Sequence, residues 1–338
     1  MLRLRPAHPD DLPALVELAA RAGAGMTNLP ANPEVLGARI QRSRDSLQRQ
    51  VETPTDEVYF FVLEDMAAGR LAGTCGIIAR VGMTRPFYSF KIVTLIHVSR
   101  ELNRYDPVKT LQMVNEYQGA TEIAMLLLHP DYRRDGNGRF LSRSRYLFLA
   151  AFPERFDNLV MAEMRGVSDA EGHSAFWEGL GRHFFDMDFT RADFLVASGH
   201  YHFINDLMPK HPIYIRLLPE AAQAVIGVAH PDTRPALALL EREGFRFEGC
   251  VDVFDAGPTV HCPRDQIHSV RTSRQARVSA VVADLDLRPH LIANTRLEDF
   301  SCCRGGLWVD PHNEVRITPA VAKALTVEPG DTVRYVLF

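Results

Sequence analysis

One stretch, LLLHPDYRRDGNGRFLSRSRYLFLA at residues 126–150, limits what this chain can fold into more than any other. Thr121 and Glu122 lead into the apolar run Ile123, Ala124, Met125, Leu126, Leu127 and Leu128, a block of strand length bounded by His129-Pro130. Beyond the break, Phe140, Leu141, Leu147, Phe148 and Leu149 recur at helical spacing. Gly136 and Gly138 therefore stand where a buried strand hands over to a helix N-terminus. The amides of a helix's first turn have no acceptor inside the helix, and together with the positive end of the macrodipole they attract phosphate. Two phosphate loops fail the test of spacing. Arg139-Phe140 follows Gly138 where a P-loop needs a lysine and a hydroxyl, and Leu141 fills the third glycine position of a dinucleotide fingerprint. Taken alone, the six residues also fit a glycine turn with solvated arginines.

The rest of the chain supplies an order of elements. Residues 2–5 read as a strand, followed by a helix capped by Asp10 or Asp11, with Leu12, Leu15, Val16 and Ala19 on one face and Gly23 at its end. A loop rich in Gly, Asn and Pro leads to a second helix. VYFFVLE (58–64) and LAGTCGIIA (71–79) form a hairpin, LVMAEMRG (159–166) a further strand, and SAFWEGLGRHFF (174–185) a short helix ending at Gly181. Residues 234–254 repeat the theme of helix, glycine and strand, with Gly244 matching Gly181, and suggest a degenerate second copy. From residue 262 the chain turns polar, as helix or linker, and the last 33 residues pair β-rich pieces around the turn EPGD. The expected divisions are 1–200, 201–262 and 263–338.

A net charge of −4 gives no electrostatic case for nucleic acid or an acidic membrane, so any basic site must be local. No segment approaches the roughly 18 consecutive apolar residues of a membrane span, and no apolar signal core is seen, so a cytoplasmic protein is expected. Five cysteines without a C-x-x-C pair argue against a disulfide framework and against a thiolate metal site. Reduced thiols are expected, and no metal.

Arg133-x-x-Gly136-x-Gly138 resembles the R/Q-x-x-G-x-G/A loop of the GNAT acyltransferases, which cradles the pyrophosphate of coenzyme A, and the element order is theirs. Longer blocks narrow the likeness: TNLPAN (27–32), VGMTRPFYSF (81–90), GNGRFLSRSRYLF (136–148), AEMRGVSDAEGHSAFWEGLGRHFFDMDF (162–189), FINDLMPKHPIY (203–214), VIGVAHP (225–231) and FDAGP (254–258). By these the chain resembles the arginine N-succinyltransferases of bacterial arginine catabolism. The resemblance implies an α/β (α+β) GNAT-like fold with a degenerate second half and a small β-rich C-terminal region. It implies transfer of a succinyl group from succinyl-CoA, a co-substrate with no permanently bound cofactor, to the α-amino group of L-arginine. The implied assembly is a homodimer, or a hetero-oligomer with a paralogous subunit. Carried over by motif, Leu126 is a succinyl-CoA contact and His230 the proton donor. Two departures stand out: Ala175, where a proline is expected, and Asn28, which bears on acceptor preference.

Aminolysis of a thioester needs a group to take the amine's proton, donors for the oxyanion, and an acid for the leaving sulfur. The strand at 122–128 offers main-chain groups to the pantetheine arm and thioester, with Leu126 and Leu128 as contacts. The pyrophosphate falls on the amides of Arg134, Gly136, Asn137 and Gly138, with Arg133 or Arg134 adding charge. Histidine titrates nearest working pH, which favours His230, and Glu122 is a candidate water-mediated base. The acceptor carries a guanidinium and a carboxylate, for which Glu163, Arg165, Asn28 and Asn32 are the candidates. Glu163 and Arg165 could equally form a structural ion pair, while Phe176 and Trp177 are expected in the core. Competing readings are ornithine as acceptor, another acyl-CoA, or a catalytically silent partner subunit.

Overall fold

The computed structural model describes residues 1–21, 29–169, 171–197, 202–283 and 288–338. Gly23 and Asn28 lie outside the described residues. The strands in chain order are β1 (Leu2–Pro6), β2 (Val58–Asp65), β3 (Arg70–Ile78), β4 (Ser89–Ser99), β5 (Arg104–Val114), β6 (Thr121–Leu128), β7 (Leu159–Glu163) and β8 (Ile213–Tyr214). They continue as β9 (Arg246–Val251), β10 (Pro258–Pro263), β11 (Arg274–Val281), β12 (Pro289–Asn294), β13 (Cys302–Val309), β14 (Glu314–Ile317) and β15 (Thr332–Leu337). Three helices matter for the site: α1 (Leu12–Ala20), α2 (Pro33–Gln48) and α3 (Asn137–Ala151).

The middle of the sheet runs β1, β2, β3, β6, β7, β10, β9, β4, β5, β8. The expected hairpin of β2 and β3 pairs from Val58↔Ile78 to Asp65↔Arg70. Alternation assigns the faces. Ile123, Val160, Ala162, Val260 and Cys262 point to the core that packs on Phe140, Leu141, Leu147 and Phe148 of α3. Ala124, Met125 and Leu127 point the other way, to Leu15 and Leu18 of α1 and Leu36 and Ile40 of α2.

The arginines that follow the glycine loop divide by role. Arg143 is buried on α3 and paired, its Nε 3.1 Å from Glu243 Oε1 and donating to Ser269 Oγ at 2.8 Å. Arg145 is buried too, donating to Ser142 Oγ at 3.1 Å. Removing either partner would strand a buried charge. At the start of α1, Asp11 is the residue that turns the chain: its carboxylate accepts the His8 N–H at 2.7 Å and the Arg5 guanidinium at 2.8 and 2.9 Å.

Strands β11 to β15 close on themselves in the order β12, β15, β11, β14, β13, with β12 pairing β13 to complete a five-stranded barrel. A helix at Pro319–Leu325 fills its interior with Val321, Ala324 and Leu325. The barrel joins the main sheet where β13 pairs β1 at Arg3↔Cys303 and Leu4↔Cys302. All five cysteines are buried free thiols. Among the described residues no helix is long and apolar enough to cross a membrane.

Two local expectations are corrected. The helix expected to end at Gly181 runs on to Phe185 and stops at Asp186, whose φ is 47°. Gly181 lies inside it because the Trp177 ring occupies the space a Cβ would need. Gly244, with φ 103°, is a true helix stop, so the two glycines are not equivalent. The strand expected over 159–166 ends at Glu163, which leaves Arg165 in the loop beyond it.

Candidate active site

The site begins where β6 and β7 part. These parallel strands pair only at Thr121↔Val160 and Glu122↔Met161, so the remainder of β6 is unpaired on that side. Its other edge is also irregular. Opposite β3 the register shifts between Thr74↔Leu127 and Gly76↔Ala124, and Met125 sits in the bulge at φ 57°. Gly76 permits this, because a Cβ there would overlap the Met125 methyl. The bulge turns the Leu126–Leu128 main chain toward the opening, where Leu126 and Leu128 are half-buried.

At the end of β6 the chain makes the loop foreseen from its glycines. Asp135 and Gly136 both adopt left-handed backbone, at φ 54° and 75°, and Gly136 caps α3. The first intrahelical bond runs from Phe140 N to Gly136 O at 2.9 Å, so the N–H groups of Gly138 and Arg139 have no acceptor within the helix. Nothing lies within 4 Å of where a Cβ on Gly138 would stand. Asn137 is buried and structural, its amide donating to Tyr132 O at 3.1 Å. Arg133 and Arg134 are exposed, and Arg133 Nε donates to Leu128 O at 3.2 Å.

On the α1–α2 face of the split lies a cluster of carboxylates. Glu163 follows Met161 by two residues and stands directly opposite Thr259 of β10, so Glu163, Thr259 and Glu122 share that face. Glu122 is nine-tenths buried. Glu122 faces the charges of Arg39 and Arg85, and Glu163 that of Arg85. Burial pushes the Glu122 carboxyl up to about 7, against the pull of Arg85 and Arg39. Glu163 is raised well above the carboxylate range by burial, then by the charges of Asp252, Glu122 and Asp255, with Arg85 opposing. Burial and the neighbouring Asp252 bring Asp255 to about 8. Thr259 Oγ1 is buried here without a hydrogen-bond partner among the described residues. Four carboxylates thus gather around Arg85, with Arg39 beside Glu122.

His230 stands at the same end. Its N–H donates to Arg165 O at 2.8 Å, while Gly166 and Ala229 form a bridge. Asp255 holds this junction by accepting the N–H groups of Gly166 at 2.7 Å and Gly257 at 2.8 Å. His230 Nδ1 accepts the Asp232 N–H at 3.2 Å, and the ring also hydrogen-bonds the Ser168 main chain. Burial, and then the Arg165 charge, lower its pKa below the ordinary histidine value.

The candidates chosen from sequence therefore fall into groups. Glu122 and Glu163 share one face where β6 and β7 part, and Leu126 and Leu128 follow on the part of β6 that β7 leaves unpaired. His230 hangs from the main chain of Arg165 beyond β7, and Arg133 to Gly138 form the loop after β6. Arg165 donates to Ser168 Oγ at 2.8 Å and makes no ion pair with Glu163. Asn32 spends its side-chain oxygen on capping α2, accepting from Glu34 N at 2.9 Å and Val35 N at 3.1 Å. Trp177 is core, stacked on Phe185 at 5.2 Å, as is Phe176. Sequence reasoning missed Arg85, Asp252, Asp255 and Thr259. The blocks VGMTRPFYSF and FDAGP contained or adjoined them, but periodicity gave them no shared face.

A family model described as the arginine N-succinyltransferase beta subunit matches residues 2–269, and one described as that subunit's C-terminal domain matches residues 274–336. An arginine N-succinyltransferase of Escherichia coli K12 is 44% identical over 338 residues, which span 99% of this chain and 97% of the relative. The solved structure of arginine/ornithine succinyltransferase subunit AI from Pseudomonas aeruginosa has a TM-score of 0.90 at 37% identity, covering 100% of this chain and 98% of that one.

Proposed function

This chain belongs to the arginine N-succinyltransferase family, and we propose from that footing how its own residues carry the acyl transfer. The reaction is aminolysis of succinyl-CoA by the α-amino group of L-arginine, giving N2-succinyl-L-arginine and CoA. The diphosphate lies on the N–H groups of Gly138 and Arg139, with Arg133 and Arg134 as counter-charges. The pantetheine arm runs along the β6 main chain past Leu126 and Leu128, in the strand position that β7 leaves open.

The observation that carries this reading is the position of Glu122 and Glu163 on one face at the point where β6 and β7 part. A cationic acceptor entering there adds positive charge to a cluster in which Glu122, Glu163, Asp252 and Asp255 outnumber Arg85 and Arg39. Glu163, backed by Asp252 and Asp255, faces the guanidinium, and Arg165 is placed for a carboxylate. Glu122 takes the proton of the amine through a water. In its protonated form, made more acidic by burial and by Arg165, the His230 ring delivers a proton to the leaving sulfur. The Asp232 carboxylate, 3.7 Å from Nδ1, is in place to pair with that form. Both groups then exchange protons with solvent, and the cycle balances.

A thiol-release assay of the whole chain, pairing succinyl-CoA or acetyl-CoA with arginine or ornithine, tests the assignment. Release should be fastest with succinyl-CoA and arginine, with succinylation at the α-amino group by mass spectrometry. Ornithine is included because the Pseudomonas aeruginosa relative carries both amino acids in its name. CoA binding without thiol release from any pair would instead support a silent partner subunit.

We propose also that residues 201–262 hold the degenerate second copy. This is supported by His230-Pro231-Asp232, which repeats the local geometry of His129-Pro130-Asp131. Assembly as a homodimer or with a paralogous subunit is supported by the β4–β5 arm, whose Ile96, Val98, Leu102 and Tyr105 are all more than half exposed. Sedimentation of the purified chain, alone and with a paralogue, tests it.

A further inference from the structure

The barrel formed by β11 to β15 reaches the glycine loop. Phe338, following β15, lies under Gly136, where a Cβ would come 3.2 Å from Phe338 Cζ. The Arg139 guanidinium sits 3.9 Å from the centroid of the same ring and that of Arg304 5.0 Å from it. Arg304, on β13, also donates from Nη1 to the carbonyl of Asp135. The ring is itself anchored, because Phe338 N donates to Pro289 O at 3.0 Å and Leu337 pairs with His290.

These contacts act on the two residues of the loop whose backbone is least comfortable. Asp135 is left-handed without being glycine, a conformation that costs about 1 kcal/mol and persists only where the surroundings enforce it. Arg304 fixes its carbonyl, and Phe338 supports the next residue from below. Removal of either lets Asp135-Gly136 relax, and the Gly138 and Arg139 N–H groups then lose their common aim. The brace also concentrates charge. Arg139 and Arg304, both held against one aromatic ring, add to Arg133 and Arg134 at the mouth of the site. Arg139 Nε is buried without a hydrogen-bond partner, so its guanidinium is not consumed by an internal ion pair among the described residues.

We propose that the C-terminal barrel is a working part of the acyl-CoA site: Phe338 and Arg304 are positioning residues that hold the glycine loop in its phosphate-binding form. This rests on the placement of the nucleotide thioester proposed above. It gives residues 274–338 a role in binding the donor, separate from recognition of the acceptor.

The test uses the full chain, with CoA affinity by calorimetry, KM for each substrate and thermal melting. Phe338→Ala and Arg304→Ala should each weaken CoA binding and raise KM for succinyl-CoA about tenfold, leaving KM for arginine within about twofold. Phe338→Tyr should restore affinity. Gly138→Ala, which meets open space in the fold, serves as the probe of the loop itself and should also weaken CoA. Unchanged CoA affinity in Gly138→Ala would overturn the placement of the cofactor, and this inference with it. Loss in Gly138→Ala with wild-type affinity in both Phe338→Ala and Arg304→Ala would overturn the brace alone. Parallel rises in both KM values would mean that the barrel only supports the fold. If Phe338→Ala fails to fold, Arg304→Ala decides.

Discussion

His129 and His230 cap their turns with the same bond: each Nδ1 accepts the main-chain N–H of the aspartate two residues on, at 3.2 Å in both. Their backbones agree closely, at φ −56° and ψ 136° for His129 and φ −53° and ψ 141° for His230. The cap is therefore a structural habit of a His-Pro-Asp turn, and chemistry has to be assigned by what surrounds the ring. His129 follows β6 beside Tyr132, whereas His230 hangs from Arg165 at the split. His129→Ala should cost about 1 kcal/mol of stability, as cap losses do, and leave kcat within a few fold. His230→Ala should cost a similar stability and lower kcat by roughly 10²–10⁴. Equal kcat in the two variants would remove His230 from the mechanism.

The pH profile should report Glu122. Burial raises it to about 7, so it is half ionised near neutrality and kcat/KM for arginine should climb as pH passes through about 7. In Glu122→Gln that step should vanish, leaving a lower rate whose rise reflects the amine alone.

Stability should move the other way. Glu122 and Asp255 have folded pKa values above their unfolded ones, so the folded chain keeps protons that the unfolded chain releases. Their contribution is fully present below the ordinary carboxylate pKa and is lost as pH rises through about 7 and about 8. The ligand-free protein should melt lower at pH of about 8.5 than at about 6, by calorimetry. Saturating arginine should recover most of the difference at the higher pH, and a pH-independent melting temperature would contradict the buried acid cluster.

Thr259 separates stability from function. Its hydroxyl is buried and, among the described residues, unpartnered, so Thr259→Val should stabilise the free protein by about 1 kcal/mol. The same variant should raise KM for arginine several fold, and Glu163→Gln by about 10–100-fold, as expected for loss of a charged hydrogen bond. Denaturant melts and steady-state kinetics on both variants check the pair.

Gly76→Ala probes the bulge. The new methyl overlaps Met125 and stands 3.2 Å from Tyr59 O, so β6 must shift at a cost of about 1–3 kcal/mol. Because the bulge aims the Leu126–Leu128 main chain, succinyl-CoA KM should rise. Unaltered donor kinetics would show that the bulge does not shape the thioester site.

Much of the donor side could be read along the chain. Strand, glycine loop and helix α3 are contiguous, so their periodicities and the absent Cβ of Gly138 are local properties that one stretch of sequence carries. The helix stop at Gly244 and the burial of Trp177 were legible on the same ground. Gly181 was not, because a glycine chosen to clear a tryptophan ring is indistinguishable in sequence from one chosen to end a helix.

The acceptor side was decided by pairing between distant strands. Glu122, Glu163, Asp255 and Arg85 are dispersed over 171 positions; the register of β6 with β7 turns the two glutamates to one face, and the loops after β3 and β9 bring Arg85 and Asp255 to them. The carboxyl groups hold protons because they are buried, and Glu163 and Asp255 also because other carboxylates stand near, which no residue type encodes alone. The contact of Phe338 with Gly136 likewise depends on closure of the barrel against the sheet. Local conformational preference is written residue by residue, whereas charge crowding and bracing belong to the distances between elements, and those are set only when the chain has packed.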